Sequence, residues 1–187
     1  MALSKILLSI DPSLRSTGYN FINTETKEVI HYGIIASDIP ADNGEELLLN
    51  ISGDLLILKK MMFGKEKIDM VIEGLSFGSK TGMRDLIDAL HWHIRTMYRF
   101  SFSDALIGVA PPNTWRNALS TPQERKDAKA NLGKDHLKKM MVNKLPEELR
   151  KKYLDYIKSK HRKKESIYDL ADSYWIGQYR ITLEENK

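Results

Sequence analysis

The chain has 187 residues, of which 42% are hydrophobic and 29% are charged, a composition typical of a folded globular protein. It contains no cysteine, which excludes disulfide bonds and thiolate metal sites. No apolar stretch approaches the ~20 residues that span a bilayer, and the first residues lack the pattern of a cleaved signal peptide. These features predict a cytoplasmic protein with one domain over residues 1–187 and no membrane association.

The net charge of +4 is distributed unevenly along the chain. Residues 144–164 contain nine lysines or arginines against three acidic residues, a net charge of +6, which leaves −2 for the rest of the chain. A basic segment on a slightly acidic body indicates a polyanionic partner. A solvated helix surface is the simpler explanation for a charge run considered alone.

The first half of the chain predicts three strands, then a helix, then a fourth strand. Apolar runs that end at turn-forming residues are typical of buried strands. Apolar residues spaced three and four apart predict the amphipathic helix. In chain order, the strands are predicted at 5–10, 17–23 and 27–36, the helix at 45–62 and the fourth strand at 68–73.

The second half of the chain is mainly helical. The pattern predicts a helix over 81–98 and a fifth strand over 105–110, and it is helical again from residue 113. A break near Pro146 precedes a last helix over 166–182. A strand meander followed by alternating helices and strands predicts an α/β fold, with a five-stranded mixed sheet and helices on both faces. This order of elements is the ribonuclease-H-like arrangement.

Two acidic residues follow apolar strands directly. Asp11 ends the first strand and Glu73 ends the fourth. Ligands gather beyond the carboxyl ends of parallel strands, so both carboxylates converge if the two strands are neighbours. Taken singly, Asp11 is also explained by the start of a turn, and Glu73 by a solvated strand end.

A second acidic pair, Asp169 and Asp172, lies on one face of the last predicted helix because its members are three residues apart. Ser166 and Asp169 also fit a capping box, which gives Asp169 an alternative role. That alternative does not extend to Asp172, which lies past the first helical turn among apolar residues. Partly buried carboxylates require a cation or hydrogen bonds.

The four carboxylates together suit hard divalent cations. Mg²⁺ takes oxygen ligands and keeps several waters, so one or two carboxylates per ion suffice, and Mn²⁺ accepts the same donors. Two such ions hydrolyse a phosphodiester without a side-chain nucleophile. The sequence therefore predicts a two-metal site formed by Asp11, Glu73, Asp169 and Asp172.

Three short motifs resemble those of RuvC-type Holliday junction resolvases. Residues 10–19 (IDPSLRSTGY) resemble the opening motif of this family, residues 71–73 (VIE) its strand-four glutamate, and residues 168–172 (YDLAD) its C-terminal helix motif. The resemblance runs from residue 5 to about residue 179. The sequence looks most like the divergent resolvases of phages, and this resemblance implies a location in the bacterial cytoplasm.

The resemblance implies a homodimeric endonuclease that binds a four-way DNA junction and nicks two opposing strands symmetrically, with two Mg²⁺ ions per active site. Lys134 corresponds to a basic residue of the family near the active site and is predicted to assist catalysis. Arg116 is predicted to contact phosphate, and Trp115 is predicted to lie in the core. The helix over 81–98 is the predicted dimer interface. For both Lys134 and Arg116, the alternative is a solvated position on the surface.

Further DNA contacts are predicted on either side of the acidic residues. Phe77 lies close to the position of a family aromatic that meets the junction, although it is shifted by one residue, and it is predicted either to wedge against a base pair or to plug its own loop. Lys80 and Arg84 are predicted to grip the backbone. The segment 145–165 is longer and more basic than the corresponding family region, and it is predicted to add phosphate contacts through residues that include Lys163 and Lys164.

Three alternatives share parts of this pattern. A ribonuclease-H-like nuclease acting on RNA–DNA hybrids or on other branched DNA would use the same four acids. A phosphate-binding domain related to actin-like ATPases opens with a similar strand and turn, but such proteins need a second nucleotide-binding segment. A non-catalytic junction-binding module has no need of all four acids.

Overall fold

The computed structural model describes residues 2–40, 42–75 and 84–186. Its centre is a five-stranded mixed sheet, as the sequence predicted. The strands are β1 (Ile6–Asp11), β2 (Ser16–Asn23), β3 (Val29–Ala36), β4 (Asp69–Glu73) and β5 (Ile107–Ala110). Their order in the sheet is β3-β2-β1-β4-β5.

The sheet combines an antiparallel meander with two parallel pairs. Strand β2 is antiparallel to both β1 and β3, whereas β4 is parallel to both β1 and β5. Ile10 lies opposite Ile72, so Asp11 and Glu73 each follow one residue later at the same edge. The condition that the sequence left open, neighbouring strands for these two acids, is met.

Helices cover both faces of the sheet, which confirms the predicted fold class. One hydrophobic core joins residues such as Leu8 and Ile10 to the two helices that lie between β3 and β5 in the chain. The other core joins Leu7 and Val71 to the helices that follow β5. Alternate residues of β1 enter opposite cores because successive side chains of a strand point to opposite faces. The helices are α1 (Gly44–Phe63), α2 (Arg84–Ser101), α3 (Pro112–Ala118), α4 (Pro122–Leu132), α5 (His136–Asn143), α6 (Glu147–Ser159) and α7 (Ile167–Glu185).

Strand β5 is shorter than its predicted range of 105–110, and it begins at Ile107. The N–H of Leu106 donates to the carboxylate of Asp69 at 2.7 Å. This N–H is therefore bonded to a side chain and not to the backbone of a neighbouring strand. The pattern of apolar residues cannot show such a contact, because it joins positions 37 residues apart in the chain.

The chain after β5 forms four helices before the long helix α7. Helix α4 begins with a capping box between Thr121 and Glu124, and α6 begins directly after Pro146, at the predicted break. The predicted basic segment is therefore α6 with the short 3₁₀ helix Lys164–Ser166 that leads into α7. No helix of the described ranges has the length and apolar content needed to cross a membrane.

The alternative explanation of Ser166 and Asp169 as a capping box is wrong. Ser166 makes no side-chain capping bond, because the preceding 3₁₀ turn already brings it into helical conformation. The carboxylate of Asp169 instead accepts a hydrogen bond from Ser16 Oγ at 2.5 Å. This leaves Asp169 directed at the edge of the sheet where β1 and β2 meet.

Candidate active site

Two acids meet at the carboxyl ends of the parallel strands β1 and β4. Burial raises the pKa of Glu73, although a hydrogen bond with the carboxyl group of Asp11 lowers it. Burial raises the pKa of Asp11 well above its ordinary value, and the negative charges of Glu73, Asp172 and Asp169 raise it further. Both shifts arise because buried acidic groups are crowded at one edge of the sheet.

Helix α7 brings the second pair of acids to the same place. Burial raises the pKa of Asp169 to about 6, even though the bond from Ser16 opposes this shift. Asp172 is only 1% exposed, and burial also raises its pKa. Its Oδ1 atom is buried and has no hydrogen-bond partner among the described residues. A buried acceptor without a partner is costly, so this oxygen is available to a ligand.

The close approach of α7 to the sheet depends on Gly18. A Cβ atom on this residue would lie 2.2 Å from the backbone carbonyl oxygen of Asp169 and 3.0 Å from its Cβ. Gly18 also lies opposite Asp11 in the β1–β2 ladder. The glycine of the opening motif is thus explained by packing, because only glycine lets the helix that carries two of the acids pack this closely against β2, opposite Asp11.

Arg116 of α3 lies inside this acidic cluster. Its Nη2 atom is 3.0 Å from Asp172 Oδ2 and 3.2 Å from Glu73 Oε1. The guanidinium group lies over the ring of Trp115, 4.4 Å from the centroid. Sequence reasoning assigned Arg116 to phosphate contact and did not foresee this pairing with the acids.

Trp115 is fully buried, in keeping with its predicted place in the core. Its indole Nε1 donates to Glu73 Oε1 at 2.9 Å, a bond that lowers the pKa of Glu73. The tryptophan therefore has two roles: it packs in the core and it fixes one carboxylate. A buried indole N–H needs a partner, and here that partner is an acid of the site.

Lys138, which sequence reasoning missed, acts on the acids through its charge. This positive charge lowers the pKa values of Asp11, Asp169 and Asp172. The predicted catalytic residue Lys134 is exposed and precedes α5, whereas Lys138 lies within that helix and is partly buried.

The predicted DNA contacts are dispersed. Phe77 and Lys80 lie outside the described residues. Arg84 begins α2 and is exposed, with its Nε 3.9 Å from Asp88 Oδ2. Lys163 and Lys164 are exposed where the 3₁₀ helix begins. The structure thus brings together the four acids and Arg116, while the roles of the other cations stay predictions.

The donor chemistry of the cluster suits a hard divalent cation. Four carboxylates with raised pKa values, one of them with an unpartnered buried oxygen, concentrate more negative charge than Arg116 and Lys138 offset. Within the ranges that the structure describes, no three acidic or histidine side chains are already arranged as a metal cage. The guanidinium of Arg116, which bridges Glu73 and Asp172, lies where a cation between these two acids would bind.

The raised pKa of Asp169 predicts a pH dependence of stability. Folded protein without metal retains a proton on this group between about pH 4 and 6 that the unfolded chain has lost, so stability falls as pH rises through this window. Asp169→Asn removes the effect. The free energy of unfolding of the variant relative to the unaltered protein should increase by up to about 3 kcal/mol between pH 4 and 7.

Urea unfolding in EDTA at several pH values measures this difference. Asp155→Asn is the control, because Asp155 is exposed on α6. A difference between the Asp169 variant and the unaltered protein that stayed constant across the pH range would contradict the assignment.

The fold and the acidic cluster define a ribonuclease-H-like domain with its acids at the carboxyl ends of β1 and β4. No protein-family model and no curated protein sequence matches the chain. Solved structures do. The RuvC structure from Thermus thermophilus superposes with a TM-score of 0.59 at 13% identity, covering 97% of this chain and 96% of that one. The chain therefore has the RuvC-type fold.

Two further solved structures are similar. T. thermophilus RuvC in complex with Holliday junction substrate gives a TM-score of 0.57 at 13% identity, covering 93% of this chain and 90% of that one. The yeast mitochondrial Holliday junction resolvase Ydc2 gives 0.48 at 15% identity, covering 98% and 84%.

Proposed function

We propose that the chain is a metal-dependent, structure-selective DNA endonuclease that resolves four-way junctions by paired, symmetric nicks. The observation that carries this proposal is the convergence of Asp11, Glu73, Asp169 and Asp172, from two parallel strands and one helix, at one edge of the sheet. The RuvC-type fold over nearly the whole chain supports it, since one similar structure contains a Holliday junction substrate.

The four acids would hold two Mg²⁺ or Mn²⁺ ions. Such ions, when bound, activate a water molecule and stabilise the leaving oxygen of a phosphodiester. The chain's own groups prepare this site. The unpartnered Oδ1 of Asp172 would supply a free ligand atom. Lys138 places a positive charge near the acids, where it would oppose the charge of the scissile phosphate.

Arg116 is expected to compete with metal for the acids. Arg116→Gln removes the cation that bridges Glu73 and Asp172, so the affinity of the DNA-free protein for Mn²⁺ should increase about tenfold, which is about 1.4 kcal/mol. Isothermal titration calorimetry measures this affinity without any cleavage. Arg125→Gln is the matched control, because Arg125 binds Ser120 rather than an acid. Weaker Mn²⁺ binding by the Arg116 variant would contradict the competition.

A homodimer would place two such sites on a symmetric junction, and α2 offers a surface for it. Trp92 and Phe100 on this helix are 58% and 82% exposed. Large exposed apolar side chains are typical of surfaces that bind another protein. A second copy of the chain that packs against α2 would bury them, so light scattering should give twice the mass of one chain.

The test of the function is cleavage of a synthetic four-way junction in Mg²⁺, with every strand labelled in turn to map the nicks. We expect nicks at symmetric positions in two opposing strands, with ends that a ligase joins. An RNA–DNA hybrid, a flap and a replication fork of the same sequence are cut in parallel. Preferential cutting of the hybrid or the fork would identify that nucleic acid, rather than the four-way junction, as the substrate. If none of these nucleic acids were cut, the nuclease proposal would be overturned.

A further inference from the structure

A groove lies between α5, α6 and the start of α7. It has a volume of about 440 Å³. Three basic side chains line it, and the apolar side chains of Val142, Leu154 and Ile167 line it as well. The basic residues are Lys139, Arg150 and Lys164. Four of its nine lining residues belong to the basic segment 145–165, which distinguishes the chain from the family it resembles.

The groove begins beside the acidic cluster. Tyr168 lines it and is the immediate neighbour of Asp169 in α7. Lys138, whose charge acts on three of the acids, has its Nζ 5.9 Å from the centroid of the Tyr168 ring. A strand whose phosphate lies at the acids would therefore have this groove next to it.

None of the three basic side chains of the groove forms an ion pair with an acidic residue in the described ranges. Neither Arg150 nor Lys164 has an ion pair or side-chain hydrogen bond in the parts of the chain that the structure describes. Lys139 donates to the carbonyl of Leu132 at 2.8 Å, which leaves its charge uncompensated. Of the described residues that line the groove, one is acidic, Glu165, against three that are basic.

A second cavity, of about 400 Å³, lies against α6 and provides a contrast. Its lysines, Lys27 and Lys152, are each paired with a glutamate at 2.9 Å. Cavities of similar size on the same helix therefore differ in charge balance. Unpaired cations next to the acids indicate a binding surface for an anion, whereas paired cations indicate surface solvation.

Helix α6 holds the wall of the groove in place. The hydroxyl of the buried Tyr153 donates to Asn20 Oδ1 at 2.5 Å, and the Asn20 amide donates to Ser173 Oγ at 2.7 Å. The hydroxyl of Tyr156 accepts from the N–H of Ile34 at 3.1 Å. The basic segment is therefore anchored to β2, β3 and α7, and Arg150 is presented from a fixed helix.

We propose that this groove binds the backbone of the DNA strand next to the scissile phosphate, with Arg150 and Lys164 on one phosphodiester and the apolar side chains against its sugar. This inference rests on the proposed nuclease function and extends it. Phosphate contacts from a fixed wall set the register of the strand at the acids without reading its sequence. The volume of the groove lies within the range of about 300–1,000 Å³ that is typical of ligand-binding cavities.

The test compares the binding of a fluorescent four-way junction by two double variants, both in an Asp172→Asn background that is not expected to cut. Arg150→Ala with Lys164→Ala should weaken binding at least tenfold and reduce the slope of log affinity against log salt by about 1, because both side chains contact one phosphate. Lys27→Ala with Lys152→Ala removes the same charge from the other cavity, and we expect binding within about twofold of the background protein. Thermal melting verifies that each variant folds.

Junctions with a single neutral methylphosphonate identify the phosphate. One position near the cut should weaken binding of the background protein and have no effect on the Arg150 and Lys164 variant. Unchanged affinity and salt slope in that variant, or equal losses in both double variants, would overturn the groove assignment and leave the nuclease function intact. Failure of the unaltered protein to bind or cut any junction would instead overturn the proposed function itself.

Discussion

Asp172→Asn is expected to reduce junction cleavage by about 10³-fold or more, because a divalent cation supplies several kcal/mol of transition-state stabilisation. Asp172 is the most buried of the four acids, with 1% of its surface exposed. Its Oδ1 has no hydrogen-bond partner among the described residues. Loss of one carboxylate oxygen removes a ligand that no neighbour can replace. Single-turnover cleavage in Mg²⁺ measures the effect, and junction affinity in Ca²⁺ should stay within about threefold.

The matched control is Asp155→Asn, which removes one exposed acid from α6 and should cut like the unaltered protein. Asp11→Asn should behave like the Asp172 variant, because the two carboxylates belong to one cluster. Full cleavage activity in both the Asp11 and the Asp172 variants would show that the acids do not form the active site.

Gly18→Ala is expected to be nearly as damaging, although it removes no charge. Its methyl group would meet the carbonyl oxygen of Asp169 at 2.2 Å, so α7 or β2 has to move. Overpacking of this kind costs about 1–3 kcal/mol of stability. A shift of the acids by about 1 Å should reduce cleavage about 100-fold. Urea unfolding and single-turnover cleavage measure the two effects.

Gly53→Ala provides the control. Gly53 lies inside α1, and a Cβ atom there would have nothing within 4 Å. Alanine is favoured over glycine in a helix by about 1 kcal/mol, so this variant should be slightly more stable and fully active. Normal cleavage by Gly18→Ala would show that the contact between α7 and β2 does not position the acids.

The strands and the two strand-end acids could be predicted because each depends on local order. Apolar runs that end at Asp11 and at Glu73 mark buried strands whatever surrounds them. Two parallel neighbours then place both acids at one edge. Asp172 could be predicted for a related reason, since an acid among apolar residues inside a helix has no local explanation.

The partners of these acids could not be predicted, because they come from distant parts of the chain. Ser16 binds Asp169 across 153 positions, and Arg116 binds Asp172 across 56. Many residues in this chain could donate such bonds, and the pattern of the sequence does not rank them. The capping box at Ser166 does not form for a different reason, because the preceding 3₁₀ turn already places this residue in a helical conformation.

Asp11, Glu73, Asp169 and Asp172 were thus identified as one candidate site by the sequence alone, through strand ends and helical spacing. Only the tertiary structure decided which cations face them. It placed Arg116 between Glu73 and Asp172, and it placed Lys138 where its charge acts on three of the acids. The physical reason is that hydrophobic periodicity determines the strands and helices that position the acids. The long, flexible side chains of lysine and arginine acquire their partners only when the helices pack together.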